Sequence, residues 1–331
     1  MQTLLQTQLQ AALNAADDTD APPQDRAEML MEIAMGLQQR PQSAQQIADA
    51  VHLYELALDL APGALQRARI AARLGTALQA LPDLDDDRSN EHLEQALMRL
   101  QTALPVLQAE GSAAEAAEVE LNLGLVLQAL SGSGRARIQD AINAYLRALR
   151  VFTRADHPQE FAILHNNLAV AYLAIPATDE RGRLREALAV QSFEEVLKVV
   201  NLVDHPSEYA MIQNNLGNAL QVATTSHVLE NHLRALAAYD EALRVRTPHD
   251  TPLAYANTIA NKANVLRRLE QDAARDVSQA DLSDPLIDAL ALVREAGALF
   301  ARHGEADKAA LMAQAASEIE IDLGLRRTHA S

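Results

Sequence analysis

Cysteine and tryptophan are absent from this chain of 331 residues, and aromatic side chains make up only 3% of it. Without cysteine the chain has no disulfide, no thiolate metal site and no cysteine nucleophile. Glycine and proline are also scarce, with 12 residues of each, which leaves little material for frequent strand turns. The abundant residues are instead alanine, leucine, glutamine, glutamate and arginine, which are strong helix formers. The composition therefore predicts an all-α protein with a core of alanine and leucine.

Long apolar runs are missing as well, because no segment approaches 18 uninterrupted apolar residues, so no membrane span is predicted. The N-terminal segment MQTLLQTQLQAALNAADD lacks the basic and apolar regions of a signal peptide, which predicts a cytoplasmic protein. A formal net charge of −17 argues against nucleic acid or anionic lipid as the main ligand, since phosphate binding needs a basic face. The charge fits an acidic solvated surface, and it also fits a basic partner.

An internal repeat organises the chain. The segments FAILHNNLAVAYLA (from Phe161), YAMIQNNLGNALQV (from Tyr209) and YANTIANKANVLRR (from Tyr255) align, and three upstream segments fit the same frame. Their shared column recurs at spacings of 39 to 49 residues, and it reads Ala34, Arg73, Asn122, Asn167, Asn215 and Asn261. A near-constant period of this size indicates one supersecondary unit that is copied along the chain.

Each copy has a second half with apolar residues at i, i+3 or i+4 and i+7, the pattern of an amphipathic helix. Examples are IQDAINAYLRAL from Ile138 and HLRALAAYDEAL from His232. The first halves carry a large residue beside a near-absent side chain, as in Leu123-Gly124. This pairing predicts close approach of the two helices in each copy.

Asp-His-Pro sequences recur ahead of the first halves, at Asp156 to Pro158 and at Asp204 to Pro206. Proline suits the first position of a helix, and a glutamate in the first turn complements the helix dipole. We therefore interpret these segments as helix starts with a capping role, and not as catalytic Asp-His dyads.

The order Leu-Gly, then Tyr, then Ala-x-x-x-Tyr-x-x-Ala-Leu resembles the tetratricopeptide repeat over nearly the whole chain. The loops inside the pairs are longer than in the 34-residue form, at 130–135, 175–183 and 223–231. With Asn-Asn-Leu-Gly, this is similar to the long repeats common in bacterial arrays, some of which are joined to caspase-like (CHAT) protease domains. No such protease is expected here, because the cysteine is missing.

The resemblance implies a right-handed superhelical α-solenoid of about six helix pairs. We expect an N-terminal capping helix in residues 1–21, over 2–16, and six repeats in residues 22–304. A C-terminal capping helix with a tail follows in residues 305–331. Terminal helices of this kind shield the apolar face that the last repeat would otherwise expose.

The resemblance also implies that the first helix of each pair lines a concave groove. With the leucine of Asn-Leu-Gly as position 7, positions 2, 5, 6, 9 and 13 share one arc of that helix. Position 6 is asparagine in four consecutive copies, which we call the ladder asparagines: Asn122, Asn167, Asn215 and Asn261. The remaining predicted binding residues are Ile163, Met211, Asn166, Asn214, Asn218, Asn264 and, in an earlier copy, Arg73.

Asparagine is a mediocre helix former, so its recurrence in mid-helix calls for a reason. A carboxamide carries both a donor and an acceptor, which matches a peptide unit in either direction. The ladder asparagines would then hold an extended peptide by its main chain, as in tetratricopeptide proteins. One alternative is that each asparagine bonds to an adjacent repeat and fixes the array, and another is that the asparagines have no such role; the sequence leaves these readings open. Arg73 is placed to meet a carboxylate.

No phosphate-binding glycine loop, HExxH motif, nucleophile elbow or cofactor fingerprint is present in the sequence. We therefore predict a non-catalytic scaffold or adaptor with no cofactor and no metal, which binds a protein or an extended peptide. The alternatives are a structural subunit or self-associating array that uses its convex face, and a peptide-sensing regulator.

Overall fold

A computed structural model describes residues 21–39, 41, 43–82, 90–176, 180–223, 227–273 and 285–329. These residues form thirteen α-helices and no strand, which confirms the all-α prediction. The helices are α1 (Pro23–Gln39), α2 (Ala44–Leu60), α3 (Ala64–Gln79), α4 (Glu91–Glu110), α5 (Ala113–Gly132), α6 (Ile138–Ala148), α7 (Pro158–Leu173), α8 (Glu180–Val196), α9 (Pro206–Val222), α10 (Val228–Leu243), α11 (Pro252–Ala273), α12 (Pro285–Arg302) and α13 (Ala306–His329).

The chain divides into two compact units, and the division falls inside α7, between Asn167 and Leu168. In unit 1 each helix from α1 to α6 packs against the next, and α3 also packs against α5. In unit 2 each helix from α8 to α13 packs against the next, and α9 also packs against α11. First helices of neighbouring pairs therefore contact each other in both units, as expected for stacked helix pairs.

The predicted domain bounds stay predictions. α13 begins at Ala306, close to the predicted start of the C-terminal capping helix. The predicted N-terminal helix over 2–16 lies outside the described residues. The number of repeats and the right-handed superhelix stay predictions.

Alanine and leucine fill the interior, in line with the composition. Five of the few aromatic side chains are fully buried, namely Tyr54 and Tyr145 in unit 1 and Phe193, Tyr239 and Phe300 in unit 2.

Glycines in the first helices allow the buried tyrosines to approach closely. A Cβ on Gly124 would overlap the ring of Tyr145, and a Cβ on Gly217 would lie 2.6 Å from Cε1 of Tyr239. The predicted close approach at Leu-Gly is thus present at both positions, because only a hydrogen leaves room for the ring.

The Asp-His-Pro segments do begin helices, but the aspartate closes the preceding turn. Asp204 accepts a hydrogen bond from Nδ2 of Asn201 (2.8 Å) and donates its N–H to Oδ1 of the same residue (2.9 Å). The same pair of bonds joins Thr153 to Asp156 and Thr247 to Asp250.

The helix that follows begins at the proline, and the first helical N–H bonds use the histidine carbonyl. Phe161 donates to the carbonyl of His157, and Tyr209 donates to that of His205. The capping role predicted for these segments therefore belongs to a backbone turn, and no catalytic pairing of aspartate with histidine occurs in it.

The loops inside the pairs are shorter than predicted. α5 continues to Gly132 and α10 begins at Val228, so both helices extend into segments assigned as loops. Leu130 is buried, and this packing favours an extra helical turn over the local signal of serine and glycine.

Candidate functional site on the first helices

The predicted binding residues are distributed over both units and differ in exposure. Unit 1 contains Arg73, Asn122, Ile163, Asn166 and Asn167, and unit 2 contains Met211, Asn214, Asn215, Asn218, Asn261 and Asn264. Ile163 and Met211 are open to solvent, with exposed fractions of 48% and 41%. Asn264 is exposed, Asn122 and Asn214 are buried, and the other asparagines are half-buried. Position 2, which Ile163 and Met211 occupy, is therefore accessible to a ligand, while the asparagines other than Asn264 are half-buried or buried.

An open cleft of about 380 Å³ in unit 1 is lined by α1, α3 and α5, which are first helices, together with Leu107 of α4. We call it the first-helix cleft. Arg73 and Asn122, two of the predicted binding residues, line it. Its other lining residues are Met31, Met35, Gln38, Gln39, Arg69, Ala72, Thr76, Leu107, Glu115, Glu118 and Val119. The cleft thus combines apolar and polar side chains.

One ion pair in this cleft is internally satisfied. Arg69 Nε donates to Oε1 of Glu115 at 2.6 Å, and the backbone N–H of Ser112 donates to Oε2 of Glu115 at 2.8 Å. The hydrogen bond from Arg69, followed by the one from Ser112, lowers the pKa of Glu115 from 4.5 to about 2. Glu115 is therefore ionised at neutral pH and offsets the charge of Arg69.

A buried tyrosine fixes one wall of the same cleft. The hydroxyl of Tyr54 donates to Oε1 of Gln38 at 2.9 Å. Burial raises the pKa of Tyr54 to about 12, and the positive charge of Arg73 opposes this rise. Tyr54 is thus a neutral donor that occupies the oxygen of the Gln38 amide, so the amide group of Gln38 keeps its two N–H donors for other partners.

The hydrogen bond between Tyr54 and Gln38 has an equivalent in a later helix pair, and the comparison shows which residue of α1 belongs to the column of the ladder asparagines. Tyr145 donates to Oε1 of Gln128 at 2.9 Å, as Tyr54 does to Gln38. When these pairs are aligned, Glu32 and not Ala34 is equivalent to Asn122. Ala34 is fully buried and Glu32 is exposed, so the assignment of Ala34 to the ladder column is wrong by two residues. The error arose from treating Met35-Gly36 as the Leu-Gly pair.

In unit 2, three of the predicted binding residues already have internal partners. Asn261 Nδ2 donates to Oδ1 of Asn214 at 3.4 Å, from α11 to α9. The Tyr239 hydroxyl donates to Oδ1 of Asn218 at 2.8 Å. The first bond joins neighbouring helix pairs, as the alternative of internal fixation requires, whereas the second lies within one helix pair.

Other asparagines make no side-chain hydrogen bond with the described residues, namely Asn122, Asn167, Asn215 and Asn264. Asn166 has a buried Oδ1 without a hydrogen-bond partner in the described chain. The asparagines therefore divide into those with an internal side-chain partner and those without one among the described residues, a distinction that the sequence pattern does not reveal.

Several lining residues of the first-helix cleft are not among the residues predicted from the sequence, for example Gln38 and Glu118, and neither is Tyr54, the partner of Gln38. A signal for Gln38 and Tyr54 was present, because Leu-Gln recurs at Leu37-Gln38 and Leu127-Gln128, each followed by a second helix with a buried tyrosine. No such recurrence marks Glu118.

The described residues contain no group of three or more histidine, aspartate or glutamate side chains arranged to hold a metal ion. Within the same residues, no helix is both long and apolar enough to cross a bilayer.

Solved structures that are similar to this chain include a STAND protein and RapI. A STAND protein (signal transduction ATPase with numerous domains) with a tetratricopeptide repeat sensor, from Pyrococcus horikoshii, has a TM-score of 0.53 and 12% identity. The match covers 92% of this chain and 44% of that protein. The apo form of RapI has a TM-score of 0.50 and 12% identity, with 90% of this chain and 98% of RapI covered.

No protein-family profile and no curated protein sequence matches the chain. At 12% identity the structural likeness establishes the fold and leaves the activity to be argued from the site. Stacked helix pairs, neighbouring first helices in contact and the similarity to a tetratricopeptide sensor agree with one another. The chain is an all-α helical repeat protein with the tetratricopeptide-repeat fold.

Proposed function

We propose that the chain is a non-catalytic scaffold or adaptor that binds an extended segment of another protein along its first helices. The observation that carries this proposal is the first-helix cleft, which is open and contains an arginine and an asparagine without side-chain partners among the described residues, Arg73 and Asn122. Polar groups without internal partners beside apolar side chains are typical of ligand sites.

The ladder asparagines contribute main-chain recognition in this proposal. Asn122, Asn167 and Asn215 keep their amides available, whereas Asn261 bonds to Asn214. A net gain of about 0.5–1.5 kcal/mol per hydrogen bond gives about 1.5–4.5 kcal/mol for these three amides. This range corresponds to binding weaker than about 10 mM at its low end and to about 0.5 mM at its high end. Tighter binding therefore needs apolar contacts, which Met31, Met35 and Ile163 are placed to supply.

A second candidate function is association through the second helices, as a structural subunit or a self-associating array. The observation in its favour is another cleft in unit 1, of about 410 Å³, which α2, α3 and α4 line with mainly apolar side chains. Met98 of this second-helix cleft is 53% exposed, and large exposed apolar side chains mark association surfaces.

A pull-down from the lysate of the native host, with bound proteins identified by mass spectrometry, separates the two functions. The double variant Asn167→Ala/Asn215→Ala removes two available amides of the first helices. Asn143→Ala is the matched control, because Asn143 is an exposed asparagine of α6, a second helix. Met98→Asp places a charge in the second-helix cleft.

We expect a partner that wild type and Asn143→Ala retain and that the folded double variant loses. A partner lost only with Met98→Asp assigns the function to the second helices. If one partner binds all four proteins equally, both proposed surfaces are wrong.

A further inference from the structure

The charges of the first-helix cleft are arranged unevenly along its three first helices. Its lining includes two arginines of α3 and two glutamates of α5. Arg69 and Glu115 neutralise each other through their 2.6 Å contact. Arg73 and Glu118 make no ion pair with any described residue, so one positive and one negative charge remain for a ligand.

Hydrogen-bond donors gather around the positive charge. Gln38 lines the cleft on α1, and its Oε1 already accepts the Tyr54 hydroxyl, which leaves the two amide N–H groups. Arg73 adds a guanidinium, and its charge acts on the same Tyr54. Donors without acceptors at one place favour a carboxylate, which accepts several hydrogen bonds at once.

The opposite chemistry is found on α5. Glu118 is exposed at the cleft and offers a carboxylate that can accept from a lysine or arginine. Met31 and Met35 of α1, Leu107 and Val119 supply apolar surface in the same cleft. Methionine side chains adapt to apolar groups of varied shape.

Building on the proposed function, we propose that the first-helix cleft selects peptide segments with an acidic and a basic side chain on either side of an apolar one. The acidic side chain lies at Arg73 and Gln38, and the basic side chain lies at Glu118. Tyr54 is a positioning residue, because its hydroxyl determines which end of the Gln38 amide faces the ligand. This charge order sets the direction in which the segment lies in the cleft.

The test is a selection of phage-displayed random dodecapeptides on the immobilised full chain. Wild type should enrich peptides in which acidic, apolar and basic residues follow one fixed order. Arg73→Gln should lose the acidic preference alone, and Glu118→Gln should lose the basic preference alone. The charge swap Arg73→Glu/Glu118→Arg should enrich peptides with the reversed order.

A matched control is the swap Arg137→Asp/Asp140→Arg, which reverses an exposed ion pair at the start of α6. It should select the same peptides as wild type. Circular dichroism melting checks the fold of each variant. If the Arg73 and Glu118 swap fails to fold, the two single variants decide the outcome.

Tyr54→Phe tests the positioning role. It should weaken the enriched acidic peptide about tenfold by fluorescence polarisation, which is the loss of about one charge-assisted hydrogen bond. The same variant should leave binding of a peptide without the acidic residue unchanged, a difference that a general loss of stability would not produce.

The failures of the two proposals are distinguishable. If wild type enriches no peptide, the proposed function fails, and this inference fails with it. If peptides are enriched but their charge order is the same for wild type and the Arg73 and Glu118 variants, only the inference is overturned. Enrichment that depends on a free terminal carboxylate also overturns it.

Discussion

At the scale of single residues, the packing of the helix pairs depends on what faces each buried aromatic ring. Gly124 and Gly217 lie against tyrosines, whereas Ala169 is the equivalent residue in the copy whose second helix carries Phe193. Each tyrosine also uses its hydroxyl, which donates to a side-chain amide of its own first helix. The ring of each of these tyrosines thus fills the core, and its hydroxyl orients a glutamine amide of the first helix.

Gly124→Ala is expected to destabilise the chain by about 1–3 kcal/mol, because the new Cβ would overlap the buried ring of Tyr145. Gly132→Ala in the same helix is the control, since nothing lies within 4 Å of its added Cβ. Urea unfolding followed by circular dichroism measures both. Equal stability of the two variants would contradict the close packing of Gly124 against Tyr145.

Glu115 should make part of the stability depend on pH. Its folded pKa of about 2 lies below the ordinary value of 4.5, so its contribution is present above pH 4.5 and is lost as the pH falls toward 2. Arg69→Met removes the main cause, so the gap in urea midpoint between wild type and this variant should shrink over that window. Arg137→Met, which breaks an exposed ion pair with Asp140, should show a small gap at every pH. If the difference in urea midpoint between wild type and Arg69→Met did not change with pH, the ion pair of Arg69 with Glu115 would be refuted.

At the scale of helices, one repeat departs from the others at the start of α11. Arg246 occupies the position that Phe152 and Val200 fill in the preceding copies. Its Nη1 donates to Oγ1 of Thr258 at 2.8 Å, and Thr258 in turn replaces a leucine and an isoleucine. Burial lowers the pKa of Arg246. Two positions that are apolar in the preceding copies therefore hold a polar pair here, in which a charged group is partly desolvated.

Restoring apolar residues at these two positions should show this cost. Thr258→Ile alone leaves Arg246 without its hydroxyl partner and is expected to destabilise by about 1–3 kcal/mol. Arg246→Val/Thr258→Ile should be as stable as wild type or more so, because well-packed apolar groups often match or exceed a buried polar pair. A double-mutant cycle in urea measures the coupling. If Arg246→Val/Thr258→Ile were less stable than both single variants, the polar pair of Arg246 and Thr258 would not be interchangeable with two apolar residues.

At the scale of the whole molecule, the end of unit 2 depends on α13. Ile319 and Ala316 of this helix are buried in a cluster with Ala263 of α11 and Val293 of α12. A final helix that covers an apolar face is what an array of repeats needs, since each repeat otherwise exposes the surface that packs on the next. The whole chain carries a net charge of −17. The lining of the first-helix cleft differs from this average, because it has equal numbers of arginines and glutamates.

Two isoleucines of α13 provide a matched test of this covering role. Ile319→Ala should cost about 2–5 kcal/mol, because it leaves a cavity against α11 and α12. Ile321→Ala should change stability by less than about 0.5 kcal/mol, because this side chain is 60% exposed. Thermal unfolding by calorimetry distinguishes them. Similar melting temperatures for the two variants would show that α13 does not cover the last pair.

The sequence by itself determined the all-α class and the pairing of helices, because helix propensity, apolar spacing and Leu-Gly contacts act over a few residues and recur along the chain. It also placed Asn122 and Arg73 at the first-helix cleft. Only the tertiary structure decided which amides are available, since that depends on partners about one repeat away, such as Asn214 for Asn261. It decided the frame of α1 as well, where a hydrogen bond from Tyr54 to Gln38 outweighs the local resemblance of Met35-Gly36 to Leu-Gly.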